Sequence, residues 1–169
     1  MNKQFYYFRH QWKKGRILIQ PTTEFDTLKL LGVKTPLKNN PFFEVKKGNK
    51  LFDIADFNNS SNFAISEKFK NLLEINNFSG WECFPIEINS IAEKYYAFQN
   101  ISEAGGILNK INKTEDDGVI KFDISTWEGA DIFHLKGTLL NICTEKVKNV
   151  LETNKVSNIE FIHCLGITL

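Results

Sequence analysis

The stretch S-E-K-F-K-N-L-L-E-I-N-N-F-S-G-W-E-C-F, Ser66 to Phe84, returns as T-E-K-V-K-N-V-L-E-T-N-K-V-S-N-I-E-F-I, Thr144 to Ile162. At a shift of 78 residues, 9 of the 19 positions are identical, and most of the others are like for like. Chance does not produce that easily, so the chain reads as carrying an internal duplication. Each copy is a physically sensible unit. Ser66 and Thr144 suit a helix N-cap, where a side-chain oxygen accepts from an orphan N–H of the first turn. Glu67 and Glu145 follow, placing negative charge at the positive end of the helix dipole. Phe69, Leu72 and Leu73, and then Val147, Val150 and Leu151, fall at i, i+3, i+4 and give a one-sided apolar stripe. Asn76 and Asn154 suit a left-handed stop.

After Ser79-Gly80 and Ser157-Asn158 the pattern changes to that of a strand. Trp81, Cys83, Ile159 and Phe161 face one way, and Phe84, Ile86, Ile162 and Cys164 the other, so both faces are expected to be covered. Working outward, Phe5 to Phe8, Leu51 to Ile54, Tyr95 to Phe98 and Ile132 to Leu135 are short apolar or aromatic runs that read as strands. Ile107 to Ile111 and Val119 to Ile124 flank Glu115-Asp116-Asp117-Gly118, a hairpin signal. Residues 32–50, with Pro36, Asn39, Asn40, Pro41 and Gly48, read as a long irregular connection. The expectation is an α+β fold: a mixed or antiparallel sheet with two equivalent helix-then-strand units. Residues 1–50 form an N-terminal strand and irregular lead-in, and 51–169 one domain containing repeat units 63–88 and 141–167.

Length and composition narrow the function classes. A chain of 169 residues with 42% hydrophobic and 13% aromatic content can bury a real core. Its 21 basic and 20 acidic residues nearly balance, and only Arg9 and Arg16 are arginine. Nucleic-acid readers use guanidinium forks and a clear basic excess, so no nucleic-acid partner is expected; the one basic cluster is Lys13, Lys14 and Arg16. No apolar run is long enough to span a membrane. Cys83, Cys143 and Cys164 are odd in number and widely spaced, and no apolar leader stretch is visible, which together point to reduced thiols and a cytoplasmic location.

Chemistry-bearing patterns are sparse. There is no H-E-x-x-H, C-x-x-C, G-x-S-x-G, P-loop or G-x-G-x-x-G, so no catalytic residue, metal or cofactor is assigned. His163 and Cys164 are neighbours on a strand, point to opposite faces and cannot share an ion. Gly105-Gly106 reads as a turn. Glu82 and Glu160 recur at equivalent positions, as a duplicated solvent-facing or hydrogen-bonded strand residue would. Asp131 and His134 are three apart on a strand and face opposite sides, which spoils a proton relay. Glu115, Asp116 and Asp117 form an acidic turn, a solvated tip or a contact surface for a basic partner. Trp127 beside Glu128 reads as packing or as a binding anchor.

The ordered set F-A-I-S-E-K-F-K-N-L-L-E (Phe63 to Glu74), W-E-C-F-P-I-E-I (Trp81 to Ile88), Y-Y-A-F-Q-N-I (Tyr95 to Ile101), D-I-F-H-L-K-G (Asp131 to Gly137) and the terminal T-E-K-V-K-N-V-L-E resembles a known family. This is a family of immunity proteins from bacterial polymorphic toxin systems, long catalogued as a domain of unknown function and typified by a myxobacterial immunity protein. The resemblance runs from about Leu51 onward. It implies a non-enzymatic protein whose partner is the toxic C-terminal domain of a cognate effector, occluded by direct binding. Occlusion needs shape and charge complementarity rather than catalytic groups. If the partner's active site is basic, Glu115, Asp116, Asp117, Glu128 and Asp131 are the natural acidic mimics, with Trp127 as anchor. Two alternatives stay open: a small enzyme that reverses toxin damage through Glu82, Glu160 or His134, and a ligand-sensing or scaffold module with a pocket between the repeats.

Overall fold

The computed structural model describes residues 4–22, 42–58, 62–108 and 119–168. These residues overturn the α+β expectation. The structure is mostly β, 48% strand against 14% helix, and consists of a closed six-stranded barrel and a second six-stranded sheet. The barrel is built from β2 (Leu18–Pro21), β3 (Phe42–Lys47), β4 (Ile54–Phe57), β5 (Phe63–Ser66), β6 (Trp81–Ile88) and β7 (Tyr95–Asn100), in the order β2-β3-β6-β7-β5-β4. The sheet is built from β1 (Phe5–His10), β8 (Glu103–Ala104), β9 (Ile120–Asp123), β10 (Ile132–Leu135), β11 (Asn141–Thr144) and β12 (Ile159–Ile167), in the order β8-β10-β11-β1-β12-β9. The two helices, α1 (Glu67–Ile75) and α2 (Glu145–Thr153), have only nine residues each. The physical reason for the correction is that short apolar runs between turns pair into ladders almost everywhere, while the helical pattern never extends past its two caps.

The pairing repeats on a larger scale than a helix and its following strand. Moving 78 residues along the chain takes β4 to β10, β5 to β11, α1 to α2 and the start of β6 to that of β12. β7 lies between β5 and β6, antiparallel to both, with Ser66 opposite Tyr95 and Cys83 opposite Phe98. β1 lies between β11 and β12 in the same register, with Thr144 opposite Phe5 and Phe161 opposite Phe8. The parallel pairs match as well: β2 with β4 as β8 with β10, and β3 with β6 as β9 with β12. The recurring unit is therefore six strands and one helix, and its first strand is exchanged. β1 precedes the barrel strands yet pairs in the sheet, and β7 precedes the rest of the sheet strands yet pairs in the barrel.

Side-chain size explains why only one copy closes fully. Inside the barrel Ala55, Ala64 and Ala97 are completely buried, and the strands wrap tightly around the stacked rings of Phe43 and Phe57, 5.2 Å between centroids. The matching positions in the sheet carry Phe133, Ile142 and Tyr7, which pack with Phe5, Phe122 and Trp127. That larger filling holds the strands apart, and among the described residues closure is reduced to a single bridge between Ile107 and Phe122. The core between the two copies joins Phe8, Phe63 and Phe98 with the buried stripes of the helices, Phe69 and Leu73 of α1 and Val147 and Leu151 of α2. Trp81, Ile159 and Phe161 pack toward that shared core, whereas Phe84, Ile86 and Cys164 point into the barrel or the sheet interior.

The helix ends depart from expectation in detail. Ser66 Oγ accepts from Phe69 N at 3.2 Å, as an N-cap should, but Thr144 makes no side-chain cap bond. The left-handed residues are Asn77 and Lys155, one place beyond Asn76 and Asn154. The Asn76 and Asn154 amides instead donate back to the carbonyls of Leu72 and Val150, each at 2.8 Å. Two related carboxylates tie the copies together. Asp53 accepts from Ser66 Oγ at 2.6 Å and from Ser157 N and Oγ at 2.7 and 2.8 Å. Asp131, at the matching place, accepts from Ser79 N and Oγ at 3.1 and 3.2 Å and from Thr144 Oγ1 at 3.5 Å.

Candidate functional site

The repeat supplies its own control for locating a site. Where the sheet copy passes from β7 to β8 through residues 101–102, the barrel copy passes from β1 to β2 through residues 11–17. This added segment forms a lip where sheet and barrel meet. Its backbone is pinned on both sides. Gln11 N donates to Asn158 O at 2.9 Å, and Asn49 N and Lys50 N donate to Gly15 O at 3.0 and 2.8 Å. Gly48 lets the two loops touch: its φ is +87°, and a Cβ there would lie 1.9 Å from the Arg16 carbonyl oxygen.

Trp12 stands on this lip with 75% of its surface exposed. It is nevertheless braced. The Arg16 guanidinium sits over its ring at 3.9 Å, and the His10 ring meets it edge-on at 5.4 Å. Arg16 in turn ion-pairs with Asp56 of β4, whose carboxylate is 3% exposed. His10 Nδ1 lies 3.0 Å from Asp56 Oδ1, but off the line of a hydrogen bond, so that oxygen lacks an aligned donor among the described residues. Burial raises the Asp56 carboxyl above its ordinary range, against the pull of Arg16 and His10, and burial holds the His10 imidazole below its ordinary value. The result is an imidazole of lowered proton affinity beside a buried, ion-paired Asp56, a fixed polar base beneath an exposed indole.

Around Trp12 the lip opens into a cavity of about 400 Å³ lined by Lys13, Lys14, Arg16, Leu18 and Lys47. Across Gly48 lies a second hollow of about 470 Å³, lined by Ile17, Glu44, Val45, Asn49, Asn89 and Ile91. Lys13 rests its ammonium over the Phe52 ring at 5.5 Å, while Lys14 and Lys47 are exposed. An indole presented on a fixed base beside Leu18 and exposed lysines is the arrangement of a binding anchor.

The residues singled out in the sequence lie elsewhere. Glu115, Asp116 and Asp117 fall outside the described residues. Trp127 is half-buried: its Nε1 donates to Ala130 O at 2.9 Å, and its ring packs edge-on against Phe5. Glu128 is exposed, and Asp131 is engaged with Ser79 and Thr144 as described above. Glu160 ion-pairs with Arg9, Glu82 is exposed on β6, and His134 Nε2 lies 3.2 Å from a Glu103 carboxylate oxygen. In the sheet His134 and Glu160 are separated by β11 and β1, and Glu82 belongs to the barrel. His163 packs against the Tyr6 ring, while Cys164 points inward. Burial pushes the Cys83 and Cys164 thiols up to about 11 and Cys143 well above its ordinary value, which disfavours the thiolate that nucleophilic or ligand chemistry needs. Among the described residues no group of three His, Cys, Asp or Glu side chains could hold a metal ion, and no helix is long and apolar enough to cross a membrane.

Sequence reading passed over Trp12, His10 and Asp56. The available signal was W-K-K-G-R at residues 12–16, a tryptophan embedded in the one basic cluster. No protein-family model matches this chain, and no curated protein does.

Proposed function

We propose that this chain acts by binding another protein, and that it is an immunity protein that neutralises a cognate toxin domain in the cytoplasm by occluding it. The observation that carries the binding reading is Trp12: a large, exposed indole, fixed by Arg16 and His10, on the one described connection that the second copy shortens to two residues. Binding residues concentrate on loops held by a rigid scaffold, and buried tryptophan anchors dominate interface energetics. The resemblance to the immunity family supplies the class of partner. The three free thiols support a reducing compartment.

The test is co-expression with the toxic C-terminal domain encoded immediately upstream, scored by host survival and by co-purification. The wild-type chain is expected to rescue growth and to co-purify. Trp12→Ala is expected to weaken the complex by more than about 2 kcal/mol while changing stability by less than about 0.5 kcal/mol. Rescue without any complex would replace occlusion with an enzyme that reverses damage. A complex indifferent to Trp12→Ala would move the interface away from the lip.

A further inference from the structure

We infer that the segment received by the lip is acidic: a stretch of partner polypeptide whose carboxylates meet Lys13, Lys14 and Lys47 while an apolar side chain lies against Trp12 and Leu18. This rests on the partner-binding reading above and names the chemistry of the partner. It also reverses the sign suggested by the acidic turn in the sequence.

The charge count around the cavity carries the inference. Among the described residues its lining holds three lysines and one arginine and no carboxylate. Arg16 is consumed by the buried Asp56 beneath it. None of the ion pairs formed among the described residues involves Lys13, Lys14 or Lys47. Lys46 and Lys50, exposed on the adjoining loop, add to the same field. Glu44, which lines the adjoining hollow and accepts from the Gln20 side-chain amide, keeps its negative charge and offsets one of these cations. A chain with almost no net charge thus concentrates unpaired cations at one rim, where complementary charge steers encounter and fixes orientation.

A nucleic acid fits the site less well. Phosphate and guanine recognition favours the guanidinium fork. This chain has two arginines, and both are held by carboxylates, Arg9 by Glu160 and Arg16 by Asp56. What remains is a set of flexible ammonium groups around an indole and a leucine, which suits carboxylates interleaved with apolar side chains.

The experiment is selection of random peptides displayed on phage against the immobilised full chain, followed by affinity measurement of the enriched peptides at low and raised ionic strength. Enriched sequences are expected to combine Asp or Glu with an aromatic or aliphatic residue and to lose affinity with salt. Lys14→Glu combined with Lys47→Glu is expected to weaken them about tenfold, whereas the remote pair Lys136→Glu and Lys146→Glu, with the same change in net charge, leaves them within about twofold. A thermal melt confirms that both variants are folded. Enrichment of neutral or basic peptides, no enrichment at all, equal sensitivity to the remote pair, or tighter binding of single-stranded DNA of equal charge would each overturn the inference. The same lip variant is then carried into the co-expression assay. A complex that survives charge reversal but fails with Trp12→Ala refutes the acidic segment and leaves the binding reading intact; no complex even with the wild-type chain refutes the binding reading itself.

Discussion

Replacing Asp53 and Asp131 by alanine, one at a time, tests how the two copies are joined, because the carboxylates occupy matching places with unequal surroundings. Asp53 is 12% exposed and collects three short hydrogen bonds, from Ser66 Oγ and from Ser157 N and Oγ. The two hydroxyls can turn toward other acceptors, so each loss costs about 0.5 kcal/mol, but the fixed Ser157 N–H loses a charged acceptor worth about 2 kcal/mol. Asp53→Ala is therefore expected to cost about 3 kcal/mol. Asp131 is half-buried and makes longer bonds, those from Ser79 lying at the surface, and Asp131→Ala is expected to cost about 1 kcal/mol. Urea unfolding followed by fluorescence reads both, and each kcal/mol corresponds to about 2–4 °C in melting temperature for a chain of this size. Acidity adds a second axis. Burial raises the Asp53 carboxyl, but the bonds from Ser66 and Ser157, with Lys68 nearby, more than offset this and hold it below the ordinary range. A depressed native value means the stabilisation is complete above about pH 4 and is lost as pH falls through the native value, so the gap between wild type and Asp53→Ala closes in acid. Equal losses for the two variants, or a larger one for Asp131→Ala, would refute the reasoning that short, sheltered bonds make the first latch the stronger.

Two further expectations concern the lip. Gly48→Ala places a methyl group 1.9 Å from the Arg16 carbonyl at a positive φ, so it should cost about 2 kcal/mol or more and should weaken partner binding together with stability, as read by paired melting and pull-down measurements. His10→Asn installs the residue that the second copy carries at the matching place, Asn100. Burial keeps the native His10 value below that of the unfolded chain, so on acidification the unfolded chain takes the proton first, and stability falls as pH drops below about 6.5. The variant should show a flatter stability profile between about pH 7.5 and about pH 5.5; an unchanged slope would mean that His10 does not titrate differently on folding.

The helices were legible because their signals are local: a capping serine, an acidic first turn and a four-residue apolar spacing all fall within one short window. The strand partners were not. Nothing in F-Y-Y-F at Phe5 to Phe8 says that its neighbours are Asn141–Thr144 and Ile159–Ile167. Pairing in a sheet is set by cross-strand packing between residues far apart in sequence, and β1 and β7 keep the same role while sharing little sequence beyond aromatic character. The fold class followed the helices because two nine-residue segments carry stronger sequence signatures than a dozen short ladders. Asp131 looked like a candidate contact residue because its bond to Ser79 spans the two copies and leaves no local trace. Trp12 was passed over because its meaning depends on Arg16, His10 and Asp56 converging beneath it, a juxtaposition that arises only when β1 enters the sheet and β2 the barrel.

The exchanged first strands also dictate an order of events during synthesis. β1 leaves the ribosome before every other described strand, but its two neighbours, β11 and β12, are among the last to appear. The barrel likewise stays open until β7 has been made, after all its other strands. The barrel strands β2–β7 are consecutive, so the barrel can close once β7 has been made, whereas the sheet cannot assemble around β1 until β11 and β12 follow, a long-range pairing of the kind associated with slow folding. The nascent chain must therefore carry the apolar strand F-Y-Y-F without its sheet partners until β11 and β12 have been made, exposed to association with other chains or with chaperones. A message interrupted before β12 would yield no half-sized functional product, because the sheet that holds one side of Trp12's lip would not exist.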